Sequence, residues 1–349
     1  MLELPKEYMG SFDLFRVYGE FGFKSHRAIR RKLEDDIHIA VRQYLLFSIL
    51  SLDPAMYAPY IYSWGKFIGY VTAEHAIKAK GVQVITRIIS SLLHLRLLKM
   101  SLYKKMVYQG WLGHKAALMN VADVNIKENS IKIIGKESID SAGIKGVKKN
   151  ICIYHTAVLA GNISYAIGKD VNFSEKACAV NGSKNVFVGQ VNGQFPKFDV
   201  LTKKEIEKIK RCIIDNIYLN KDVRPTLGNF MHLTAFQMFY LGLWFSSPGA
   251  HTMLYWIGRQ FGEDLYKRMG IKSIDKLARI LEYLRIGVLE WTGARTIKVE
   301  ECALCIGAKN IQKKICSYLA GLIDGFLGKH AIETSCVANG DNYCEFTLF

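Results

Sequence analysis

Two stretches of this 349-residue chain, Glu137 to Tyr154 (ESIDSAGIKGVKKNICIY) and Glu301 to Tyr318 (ECALCIGAKNIQKKICSY), align without a gap and share seven of eighteen residues. An internal repeat constrains the fold more than composition does, because each copy must be a version of one structural unit. The match extends upstream, where Gly65 and Gly69 follow Pro54 much as Gly258 and Gly262 follow Pro248. That spacing puts each glycine pair on one helical face, open to close approach by a neighbour. Downstream, seven residues separate Gly161 from Gly168 but only three separate Gly325 from Gly328, so the second copy's helix is expected to be one turn shorter. Pairing Leu159-Ala160-Gly161 with Leu319-Ala320-Gly321 would instead unpair Cys316 from Cys152; the gap-free register is preferred.

Each copy reads as helices, two strands, a helix and two strands. Helical periodicity covers Ile37 to Leu52, Pro54 to Lys80 and Val82 to Tyr103, and then Leu227 to Phe245, Ala250 to Met269 and Ser273 to Ile286. Strand candidates are Met106 to Leu112 or nearby with Ser130 to Gly135, and Gly287 to Trp291 with Thr296 to Glu300. A helix then starts near Lys148 and near Gln312, and alternating pairs close the copies: Val171 to Ala179 with Asn185 to Val191, Ala331 to Val337 with Tyr343 to Phe349. Segregated helices and strands predict an α+β fold, two tandem copies of a helix-rich domain with a small antiparallel sheet. The expected domains are 1–195, a degenerate copy, and 225–349, the copy with the metal motif. A charged connecting helix within 196–224 joins them, with Thr202 and Glu205 spaced as a capping box.

Half of the residues are apolar, which suits a folded protein. The net charge of +16 admits nucleic acid or a membrane surface as partners, but the basic run Lys24 to Lys32 runs straight into Glu34, Asp35 and Asp36, and no nucleic-acid motif accompanies it. The uncharged stretch from Thr226 to Gly258 is broken at Ser246-Ser247-Pro248-Gly249, too early for the ~20 residues of a membrane span, and reads as a buried helical hairpin. The N-terminal MLELPKEYMG carries charges and no apolar signal core, so a cytoplasmic location is expected.

Five of the eight cysteines lie in the last third of the chain, accompanied by Glu333 three residues before Cys336. Thiolates with one carboxylate suit zinc, and Cys316, Glu333, Cys336 and Cys344 can converge from a helix start and a hairpin. Four protein ligands leave no open position, which makes the ion structural. Two alternatives stay open: Cys302 and Cys305 completing an all-cysteine site with Cys336 and Cys344, or no metal, with Cys302 and Cys305 as buried small residues like Ser138 and Ser141. The first copy keeps Cys152, Glu175 and Cys178, but Val186 stands eight residues beyond Cys178, and this copy is expected to be metal-free. His155, one turn after Cys152, is the histidine nearest the motif in sequence. Glycine-rich phosphate loops, G-x-S-x-G and H-E-x-x-H are absent, so no nucleotide and no catalytic residues are expected. Phe236, Tyr240, Trp244, Trp256, Trp291 and Tyr318 are candidates to line an apolar pocket, against the plainer reading of core packing.

The C-x-Y, E-x-x-C and G-D-x-x-C-x-F pattern, at Cys316-Ser317-Tyr318, Glu333 to Cys336 and Gly340 to Phe346, resembles the 4-vinyl reductase domain, a hydrocarbon-binding family of archaeal and bacterial proteins. The resemblance covers Arg224 to Phe349 and, more loosely, Ile37 to Gln190. It implies the fold shared with the aromatic-sensing domains of phenol-responsive activators and with vesicle-transport-particle subunits. It also implies a zinc on Cys316, Glu333, Cys336 and Cys344 beside a closed pocket for a small aromatic. The expected function is binding or sensing of a small apolar ligand, with a homodimer as one admissible form. Tetrapyrrole vinyl reduction, as enzyme or accessory protein, and a transport-particle-like scaffold are the alternatives; no activator ATPase module is present.

Overall fold

The computed structural model describes residues 30–79, 111, 115–125, 129–182, 184–293, 295–308 and 311–349. The expected helix Val82 to Tyr103, the strand Met106 to Leu112 apart from Trp111, and most of the basic run Lys24 to Lys32 lie outside them. The chain forms two compact units: residues through Ser48, Ile213–Lys221 and Asn229–Phe349 make one, Ile49–Cys212 and Asp222–Gly228 the other.

The unit that ends in Phe349 contains β1 (Asp36–His38), most of α1 (Ile39–Leu52), β6 (Phe230–His232), α5 (Leu233–Phe245), α6 (Ala250–Met269), α7 (Ile274–Tyr283), β7 (Val288–Trp291), β8 (Thr296–Glu300), α8 (Ser317–Leu327), β9 (Ala331–Ser335) and β10 (Cys344–Leu348). Its four-stranded antiparallel sheet has the order β7-β8-β10-β9. Alternation does the work expected of a half-buried sheet: Ile297 and Val299 on β8, and Cys344, Phe346 and Leu348 on β10, are buried while their neighbours are not. The other unit contains α2 (Pro54–Ala79), β2 (Leu118–Asn125), β3 (Ser130–Lys136), α3 (Ile153–Ile167), β4 (Val171–Ala177) and β5 (Asn185–Val191), with the matching antiparallel sheet order β2-β3-β5-β4. The architecture is α+β, and the domain recurs along the chain. The helix α4 (Lys203–Tyr218) opens with a reciprocal capping box, in which the Glu205 N–H donates to Thr202 Oγ1 and the Thr202 N–H to Glu205 Oε2.

Two expected boundaries move. The helix read from Leu227 starts at Leu233, because Phe230–His232 pairs antiparallel with Asp36–His38 in a register centred on Ile37 and Met231. Each strand hands over to its helix through a histidine whose Nδ1 accepts a backbone N–H two residues on, from Ala40 to His38 and from Thr234 to His232. The helices expected near Lys148 and Gln312 begin at Ile153 and Ser317. In the first copy the strand beside β3 is Leu118–Asn125.

The glycine pairs set the helix packing. A Cβ on Gly258 would lie 1.9 Å from the Tyr318 carbonyl oxygen, and one on Gly321 would lie 1.9 Å from that of Tyr255, so α6 and α8 meet backbone to backbone. In the first copy Gly161 meets the Lys66 carbonyl as Gly325 meets that of Arg259, which fixes the gap-free register of the repeat. Both helices stop at a left-handed glycine, Gly168 or Gly328, after 15 and 11 residues, a difference of about one turn. No helix among the described residues is long and apolar enough to cross a membrane.

Gly321→Ala is therefore expected to lower stability by about 1–3 kcal/mol or more through overpacking. Gly293→Ala, where a Cβ would meet nothing within 4 Å, should leave the thermal unfolding midpoint unchanged.

Candidate metal centre

Three segments deliver the cysteines. Cys316 is the N-cap of α8, and its backbone N–H donates to Glu333 Oε2 at 2.9 Å, which draws the start of the helix onto β9. Cys336 follows β9, its N–H donating to Asp341 Oδ2 at 2.8 Å across a turn closed by Gly340 at φ 103°. Cys344 begins β10 opposite Val299. Cys302 and Cys305 sit in the turn after β8, entered through Glu301 in the left-handed region at φ 51°. That turn is pinned by the Ala303 N–H donating to Ile286 O and by Gln237 Nε2 donating to the carbonyls of Ala303 and Ile306. The Glu301 carboxylate in turn accepts the backbone N–H groups of Arg31, Lys32 and Leu33 at 2.7–3.0 Å, holding the segment that leads into β1.

All five thiols are buried, with Sγ–Sγ distances of 3.6 Å for Cys302–Cys316, 3.7 Å for Cys316–Cys336, 3.7 Å for Cys316–Cys344 and 3.2 Å for Cys305–Cys344. A tetrahedral zinc with Zn–S of about 2.3 Å separates its sulfurs by about 3.8 Å, so these spacings are those of neighbouring ligands around one small ion. Two sets of four have all their ligand atoms within 4.8 Å of one another: Cys302, Cys305, Cys316 and Cys344, and Cys316, Glu333, Cys336 and Cys344. Cys302 and Cys305 thus group with Cys316 and Cys344, in place of the Cys336 and Cys344 pairing considered from the sequence. The buried cluster can hold a metal such as zinc.

The electrostatics fit a cluster that keeps protons until a cation replaces them. Burial pushes the Cys316 and Cys305 thiols well up. Burial, then the charge on Cys336, raises the Glu333 carboxyl to about 10. Cys336 is held far down by hydrogen bonds from Cys305, Cys316 and Cys344.

The first copy repeats the scaffold with other atoms. The Cys152 N–H donates to Glu175 Oε2 at 2.8 Å, and Cys152 Sγ lies 3.8 Å from Cys178 Sγ. Ser138 Oγ, 3.6 Å from Cys152 Sγ, takes the place of Cys302. The counterpart of Cys344 is Asn185 and not Val186, because Asn185 pairs with Gly135 on β3 as Cys344 pairs with Val299 on β8. The hairpin turn is one residue shorter here, which counting from Cys178 could not reveal. Asn185 Nδ2 reaches Ser141 Oγ at 3.4 Å, and its Oδ1 accepts the Ala179 N–H at 2.6 Å, so a hydrogen-bonded pair stands where Cys305 and Cys344 meet in the other copy. His155 is buried, its Nδ1 2.5 Å from Ser138 Oγ and its ring edge-on to Trp111.

The aromatic candidates divide. Phe236, Tyr240 and Tyr318 are fully buried and in ring contact with one another, and Phe261 and Tyr44 extend the group. The Tyr240 hydroxyl donates to the carbonyl of Ile315, the residue before Cys316. Trp244 packs edge-on to Phe245, whereas Trp256 and Trp291 are about half exposed, at 52% and 43%.

In the native protein Cys212, the one cysteine not buried, should be the single thiol that reacts quickly with a bulky disulfide reagent. Fast titration of several thiols would contradict the packing described.

Comparison with known proteins agrees with this geometry. The family model of the vinyl-4-reductase domain matches residues 296–348, the segment from β8 to the end of β10 that carries all five buried thiols. Uncharacterized protein MJ0150 of Methanocaldococcus jannaschii is 33% identical over 164 residues, 43% of this chain and 94% of that protein. MJ1642 of the same organism is 27% identical over 96 residues, 25% of this chain and 60% of the relative. Among solved structures, a vinyl-4-reductase family protein of Methanocaldococcus jannaschii aligns at 23% identity and TM-score 0.30, over 39% of this chain and 88% of that one. The phenol-responsive sensory domain of the transcription activator PoxR, with phenol, aligns at 14% identity and TM-score 0.33, over 46% and 77%. A trafficking protein particle complex subunit 3 from Naegleria fowleri, covalently bound to palmitic acid, aligns at 13% and 0.28, over 45% and 99%. The chain belongs to the vinyl-4-reductase domain family.

Proposed function

We propose that the C-terminal copy binds a small apolar or aromatic molecule beside a structural zinc held by the cysteine cluster, and that the protein acts as a binder or sensor in a reducing, cytoplasmic setting. The observation that carries the ligand is the Tyr318 hydroxyl, fully buried yet without a hydrogen-bond partner among the rings of Tyr240 and Phe261. An unmet buried hydroxyl costs about 1–3 kcal/mol, and a ligand with an apolar body and one polar acceptor removes that cost. Tyr318 lies two residues after Cys316, and Tyr240 hydrogen-bonds the residue before it, so an ion on Cys316 would fix both rings. The family resemblance points to the same ligand class. Eight unbridged cysteines, seven of them buried, fit a compartment that keeps thiols reduced.

Native mass spectrometry of the whole chain, purified without chelator, should show zinc and a retained apolar molecule. Tyr318→Phe is expected to abolish retention while raising the stability of the ligand-free protein by about 1 kcal/mol. Unchanged retention in this variant would contradict the assignment of the hydroxyl.

A further inference from the structure

The cluster offers more ligands than one tetrahedral ion takes. Five thiols and the Glu333 carboxylate are gathered, and the two four-ligand sets they form share two members, Cys316 and Cys344. Outside the shared pair, one set adds Cys302 and Cys305, the other Cys336 and Glu333. We infer that this cluster is a two-metal site, in which Cys316 and Cys344 bridge two divalent ions. Cys302 and Cys305 complete the tetrahedron of one, and Cys336 and Glu333 that of the other. The inference rests on the metal reading of the preceding section and adds to it the second ion and the bridge.

Cys316 Sγ lies 3.6 Å from Cys302, 3.7 Å from Cys336 and 3.7 Å from Cys344, so it is a near neighbour of ligands on both sides, as a bridging sulfur must be. Cys344 reaches to the Cys305 side at 3.2 Å. On the other side, Glu333 spends Oε2 on the Cys316 N–H, and its Oε1 is buried without a hydrogen-bond partner. A single ion on the four cysteines Cys302, Cys305, Cys316 and Cys344 leaves that oxygen unmet. A single ion on Cys316, Glu333, Cys336 and Cys344 leaves two buried thiols without a cation. Fully deprotonated, the six ligands carry six negative charges. One divalent ion would leave four uncompensated in a buried volume, whereas two ions leave two, the charge of an ordinary four-thiolate zinc site. The first copy is the internal contrast: Ser138, Ser141 and Asn185 stand in for Cys302, Cys305 and Cys344, which removes one whole ligand pair and one bridge together.

The test is metal stoichiometry with zinc, backed by a measurement on the unaltered chain. Two zinc ions per chain are expected by elemental analysis, falling to one in the double variant Cys302→Ser/Cys305→Ser and staying at two in Cys152→Ser/Cys178→Ser. In the unaltered chain reconstituted with cadmium-113, two resonances split by cadmium–cadmium coupling through the shared sulfurs are expected. No bound ion would overturn both the metal reading and the bridge. One zinc per chain, or two cadmium signals without mutual coupling, would leave the metal reading standing and overturn the two-metal site. Two ions with one lost in the Cys152/Cys178 variant would place the second ion in the first copy, which also overturns it.

Discussion

The hydrogen bond from the Cys316 N–H to Glu333 Oε2 is the contact on which the rest of the site depends. It places a carboxylate at the start of α8, where the unpaired N–H groups and the helix dipole favour negative charge. It also draws β9 to the helix, so that Cys336, three residues on, arrives beside Cys316. The same bond recurs at Glu175 and Cys152, and with it the same approach of Cys178. Both copies therefore keep the frame, and they differ in what the frame carries. The C-terminal copy fills it with thiols, the first copy with a hydroxyl and amide network around two remaining thiols.

That frame needs close helices. Gly258, Gly262, Gly321 and Gly325 bring α6 and α8 into backbone contact, which seats Tyr318 under Tyr240 and Phe261 and leaves no space to relieve a misplaced Cys316. At the other edge, Glu301 in its left-handed conformation turns the chain from β8 into the Cys302–Cys305 loop while its carboxylate holds three successive N–H groups. Glu137 does the equivalent for Thr226 and Leu227 in the other unit, with φ 54°. The leading glutamate of the repeat is thus a turn residue whose side chain organises backbone, which explains why the repeat begins there.

Much of this is legible in the residues because it is local or repeated. Ala250–Met269, Thr296–Glu300 and Asn185–Val191 end where the sequence pattern ends, since glycines, caps and alternation mark them. The glycine spacing by itself announces the helix contact. Illegible features depend on partners far along the chain. The strand Phe230–His232 looks like the first turn of an apolar helix until Asp36–His38 is set beside it. Asn185 replaces Cys344 only once strand pairing, and not residue counting, defines the equivalence. Serine counterparts argue against Cys302 and Cys305 as ligands, yet the turn that carries them points both thiols at Cys316 and Cys344. A serine counterpart is evidence about the other copy alone.

The central claim is that these sulfurs surround a metal ion. X-ray absorption at the zinc edge, on protein purified without chelator, tests it most directly. The account requires a first shell dominated by sulfur at about 2.3 Å, with a minor oxygen contribution from Glu333. A shell of nitrogen and oxygen alone, or an absence of zinc in the purified chain, would contradict it.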